Sequence, residues 1–142
     1  MIQRTLKRPS LSPDTSQDNY YGNLMADLLN SAPEIHKFHL RVKGVGSYAQ
    51  HKGVFNFYDS IPDIADSLTE RYQGATKTIL LIPKGDEVAP IQDKESALSY
   101  FDLLYSKVSY AQSICSYSNL INMMDTVKDL IDDARYNLSF LA

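Results

Sequence analysis

Apolar residues return every three or four positions in four separate segments of this 142-residue chain, and that recurrence most limits what it can fold into. The first segment reads Tyr21, Leu24, Met25, Leu28 and Ala32, then Ile35, Phe38 and His39 beyond Pro33. It predicts one helix, kinked or restarted at Ser31-Ala32-Pro33. Lys43-Gly44-Val45-Gly46 breaks it, and the stripe Val54, Tyr58, Ile61, Ala65, Leu68 and Tyr72 predicts a second helix from about Tyr48 to Gln73, bent at Pro62. A third helix is expected from Ile91 through Ala97, Phe101, Leu104, Tyr105, Val108 and Ala111. The fourth carries Leu120, Met124, Val127, Ile131, Ala134 and Leu138, after a turn at Ser116 to Asn119 with side chains suited to capping. Between the second and third helices, Thr78-Ile79-Leu80-Leu81-Ile82-Pro83 reads as a loop packed over an apolar surface, because a lone strand has nothing to pair with. Four amphipathic helices imply an all-α four-helix bundle, with a long central connection between helices 2 and 3 to carry the chain from one end to the other.

One domain suffices for this length. Residues 1–17 carry two prolines, several hydroxyls and Arg4, Lys7 and Arg8 without sustained periodicity. They are expected to form an extended N-terminal arm ahead of a bundle domain at 18–142, an arm of the kind that ties one subunit to the next. Fourteen basic against seventeen acidic residues leave a net charge of −3, which gives the whole chain no electrostatic footprint for nucleic acid. A single Cys115 excludes an internal disulfide and fits a reducing, cytoplasmic setting. No leader or membrane-length apolar run is expected to place it in a membrane.

His39, His51, Asp66 and Glu70 stand twelve, fifteen and four residues apart, a set of nitrogen and carboxylate donors able to meet at one metal or two. Singly, each has a plainer reading. His39 suits a partly buried hydrogen-bonding histidine, His36 an exposed one, and Asp66 with Glu70 a surface pair near Arg71 and Lys77. With 3.6 residues per turn, Asp59, Asp63, Asp66 and Glu70 lie roughly 120–160° from the centre of their helix's apolar stripe. That stripe is either a solvated face or a surface that meets another subunit, with His51 on its border.

These residues carry a resemblance to the ferritin-like superfamily, and most closely to the Dps mini-ferritins. In that family a His near the end of the first helix is followed by a second His, a carboxylate, an Asp and a Glu, and His39, His51, Asp66 and Glu70 match four of those five positions at unchanged spacing. His36-Lys37-Phe38-His39-Leu40-Arg41-Val42-Lys43-Gly44 and Glu70-Arg71 resemble the surrounding family text. The likeness covers residues 20–74 and is architectural thereafter. Phe55 replaces the family's first carboxylate on the second helix, and Leu40 replaces its Trp. The resemblance implies a metal site shared between two-fold mates, in which iron or zinc is held by His39, His51, Asp66 and Glu70, with paired-iron oxidation put in doubt by Phe55. Ser47-Tyr48-Ala49-Gln50-His51 and Phe57-Tyr58 are similar to a ferritin-like family encoded by tailed phages.

Two functions follow from this resemblance. One is a structural subunit of a larger oligomer, a phage particle among the candidates, built through the Asp59, Asp63, Asp66 and Glu70 face and the N-terminal arm. The other is a catalytic mini-ferritin that oxidises and stores Fe(II) and protects DNA. DNA contact through Arg4, Lys7 and Arg8 rests on three charges only, and a plain linker arm is the simpler use. The expected location is the cytoplasm, or the virion if a phage encodes the chain.

Overall fold

The computed structural model describes residues 11–44 and 47–141, with side chains from Ser16 onward. Its helices are α1 (Leu11–His39), α2 (Ser47–Thr76), α3 (Lys94–Ser113) and α4 (Ser118–Phe140), and there is no strand among the described residues. The protein is an all-α four-helix bundle. The stripes read from periodicity face its centre: Val54, Ile61, Ala65, Leu68 and Tyr72 on α2, Ala97, Phe101, Leu104, Val108 and Ala111 on α3, and all six residues expected on α4 are buried. Tyr58 and Tyr105, expected on the same stripes, are instead half-buried at the core's edge, and Phe57 is the fully buried aromatic of α2.

Each helix has two neighbours, and every neighbouring pair is antiparallel. The Tyr72 hydroxyl donates to Asp18 at 2.5 Å at one end of the α1–α2 pair, while His39 faces His51 at the other. Between α1 and α3, Tyr21 donates to the Ala111 carbonyl at 2.6 Å, and Arg41 to the Ile91 carbonyl at 3.3 Å. Arg135 pairs with Asp102 at 2.7 Å and Gln112 donates to Asp125 at 2.7 Å, which orients α3 against α4. Gly53 meets Asn137 while Arg71 meets Met123, so α2 and α4 also run oppositely. The order is up, down, down, up, and residues 77–93 therefore return along the length of the bundle.

That return runs beside α1. A Cβ on Gly22 would sit 2.3 Å from the Leu81 carbonyl oxygen, so only glycine lets the connection pass so close. Further along, Asn30 donates to the Lys84 carbonyl at 2.7 Å, and Lys107 of α3 binds Asp27 of α1 at 2.8 Å and Asp86 of the connection at 3.2 Å. Burial works to lower the Lys107 pKa, but its bonds to Asp27 and Asp86 outweigh this and hold the ammonium above its usual range. Of the apolar run in this segment, Leu80 is buried with its N–H on Gln73 Oε1, whereas Ile79 and Leu81 face outward.

Several helix ends differ from the sequence reading. α1 begins at Leu11, so the arm boundary expected at residue 17 falls inside a helix, and Gln17 already donates to the Ile114 carbonyl at 2.8 Å. Pro13 is tolerated because it lies in the first turn, where backbone N–H groups have no partner within the helix. Residues 1–10, with Arg4, Lys7 and Arg8, lie outside the described residues. α1 also continues through Pro33 without restarting. α4 starts after Tyr117, which makes no side-chain capping bond, so the capping expected from Ser116 to Asn119 is not made.

α3 is capped instead by Asp93, whose carboxylate accepts from the Ser96 N–H at 2.8 Å and the Ser96 hydroxyl at 2.7 Å. Those two bonds hold the Asp93 carboxyl below its ordinary pKa. A depressed carboxyl contributes stability above its unfolded value and loses it as pH falls through the folded one. Asp93→Asn keeps a cap that cannot titrate. The stability advantage of the wild type over this variant, read from urea midpoints, should therefore shrink steadily from about pH 5 to about pH 2. A constant difference would mean that the carboxylate does not carry the cap.

Candidate metal centre

The α1–α2 hairpin places His39 in the last turn of α1 and His51 near the start of α2. His39 is 8 % exposed and His51 is open to solvent. Their ring centres are 3.6 Å apart, tilted by 37°, and His39 Nδ1 lies 3.3 Å from the His51 carbonyl oxygen. With the proton on Nδ1, His39 donates there and leaves Nε2 free for a ligand. Burial first, then the nearby His51 and His36, push its pKa down against that carbonyl contact. His39 is thereby biased toward the neutral form in which imidazole binds metals.

Aromatic rings close the surroundings. His36 stacks on Tyr58 at 4.4 Å, Tyr58 sets its edge to His39 at 5.1 Å, and Phe55 packs on Tyr58 at 5.3 Å. Burial, and then the Asp59 carboxylate, raise the Tyr58 pKa. Phe55, 42 % exposed, stands where the resemblance puts a carboxylate. Two imidazoles sharing one tetrahedral ion at metal–nitrogen distances of about 2.0–2.1 Å keep their ring centres roughly 5 Å apart. The rings of His39 and His51 are stacked more closely than that, so joint ligation requires one of them to rotate.

Asp66 and Glu70 lie on the same helix as His51, about 22 and 28 Å further along at 1.5 Å per residue. The structure therefore brings His39 and His51 together and leaves both carboxylates far from them within one chain. Among the described residues, no three His, Cys, Asp or Glu side chains converge on one point. Asp59, Asp63, Asp66 and Glu70 are all exposed, as the helical angle predicts, and among the described residues none forms an ion pair or hydrogen bond. The surface pairing with Arg71 is not made, because Arg71 turns to Met123 Sδ at 3.0 Å.

Periodicity gave no sign of a groove of about 580 Å³ between α1, α3 and the connection, lined by Asp27, Asn30, Asp86, Tyr100, Leu103 and Lys107. The Lys107–Asp27–Asp86 network and the Asn30 contact use these polar groups to fasten the connection. Three distant segments build the groove, so no local spacing announces it.

Fold and site together define an all-α antiparallel bundle with a histidine pair and a separate carboxylate pair on one hairpin. Residues 39–138 match a family of unknown function, DUF5856, and the chain belongs to that family. No curated protein and no solved structure matches it. Among the described residues, no helix is long and apolar enough to cross a membrane.

Proposed function

We propose that this chain is a ferritin-like, Dps-resembling bundle that serves as a structural subunit of a larger homo-oligomer, with a partial metal site between subunits. One observation carries the reading: the two halves of the ligand ladder sit on one hairpin, solvent-accessible at His51, Asp66 and Glu70, and too far apart to meet within a chain. A second copy turned end for end can bring its acid pair to this copy's histidine pair, and the reverse, as a two-fold interface requires. Imidazole and carboxylate donors suit Fe(II) or Zn(II), with His39, His51, Asp66 and Glu70 as the holding residues. The ferritin-like assignment is supported by the up, down, down, up order and by a connection that travels the bundle's length beside α1.

The catalytic mini-ferritin is the weaker reading, since Phe55 removes a carboxylate and only Asp59, one turn on, could replace it. A ring, a shell or a phage particle is the kind of assembly such a subunit builds. Metal content and mass in solution, before and after Fe(II) with peroxide, test both readings. The structural reading expects a stable oligomer without rapid oxidation. Fast oxidation in a closed shell would establish the enzyme instead, and a metal-free monomer would remove both.

A further inference from the structure

Charge is divided along the α1–α2 hairpin. Residues 35–58 contain no Asp or Glu and hold all three histidines of the chain together with Lys37, Arg41, Lys43 and Lys52. The next stretch, 59–70, contains no Lys or Arg and holds Asp59, Asp63, Asp66 and Glu70. Lys52 lies on the same outward stripe of α2 as these acids, at 100° per residue, and all five are exposed. Tyr48, 74 % exposed, and Phe55 share that stripe and supply apolar surface at its basic end.

We infer that the partner of this face is a second copy of the chain, docked antiparallel with α2 against α2, so that Lys52 lies beside the acid pair Asp66 and Glu70 of the partner subunit, in its field but outside the place those carboxylates give a metal. This deepens the structural reading above and rests on it. A surface basic at one end and acidic at the other complements itself under a two-fold rotation and repels a parallel copy. Matching Lys52 to Asp66 or Glu70 requires the axis to cross α2 at residues 59–61. In that register Asp59 faces Asp59 or Asp63 of the partner subunit, so like charges meet at the axis.

Sedimentation in chelator at low salt separates this pairing from any contribution of metal. Lys52→Glu and Glu70→Lys should each raise the dimer dissociation constant about tenfold, the double variant should recover most of that loss, and Asp59→Asn should tighten the dimer several-fold. These positions are exposed, and circular dichroism checks that the helices persist. Unchanged single variants, a double variant weaker than either single, or a loosened Asp59→Asn dimer would overturn the pairing. A chelated monomer that dimerises on adding Zn(II) would also overturn it while sparing the metal site. A dimer that obeys the charge pattern but binds no metal would do the opposite.

Discussion

Phe57→Ala lowers the free energy of unfolding by about 3–5 kcal/mol, enough to consume much of the stability of a domain this size. Phe57 is fully buried on α2 and meets Phe101 of α3 edge to face, ring centres 5.0 Å apart. Those two helices are diagonal in the bundle, with no backbone-level contact between them, so the ring pair bridges the centre directly. Removing one ring leaves a void that helices held at four other interfaces cannot close, and the loss of dispersion contacts adds to the loss of burial. Phe101→Ala should cost a similar amount. The double variant should cost less than the two combined, by a coupling of about 0.5–1.5 kcal/mol beyond burial. Guanidinium unfolding of the four proteins measures this, and additive losses would mean that the rings do not act as a pair.

The second large effect is on metal binding. His39→Ala and Glu70→Ala should each abolish stoichiometric Zn(II) binding in titration calorimetry, because each removes a ligand from both copies of a shared site. Mixing the two variants distinguishes a shared site from a site within one chain. In a mixed dimer, one site draws His39 from the Glu70→Ala chain and Glu70 from the His39→Ala chain, and is whole. Random exchange makes roughly half the dimers mixed, so roughly one site in four should return. Recovery of none would mean that the two halves do not meet across a dimer, and full binding by either single variant would mean that the ladder is not the site.

Much of the fold was legible because burial in a bundle follows a period. Leu120 through Leu138 needed only the 3.6-residue turn to be placed, and so did the outward aim of Asp59, Asp63, Asp66 and Glu70. Helix ends were less legible, since they depend on a few hydrogen bonds. Residues 11–17 show no sustained apolar periodicity and are nonetheless helical, and Asp93 caps α3 while Tyr117 makes no side-chain capping bond to α4. At the site, a twelve-residue spacing across a hairpin turn brought His39 to His51. The distance to Asp66 and Glu70 follows from both lying on His51's own helix. The groove at Lys107 and the passage of Leu81 over Gly22 join residues far apart in the chain, and no local pattern encodes them.

Antiparallel packing on every side has an electrostatic consequence. Each end of the bundle gathers two helix amino termini and two carboxyl termini, so the half-charges of the four macrodipoles cancel at both ends. The backbone thus contributes almost no axial field, and the molecule's polarity is written in side chains alone. A few substitutions along α2 would suffice to erase or invert the field that a second molecule meets on approach, leaving the core untouched.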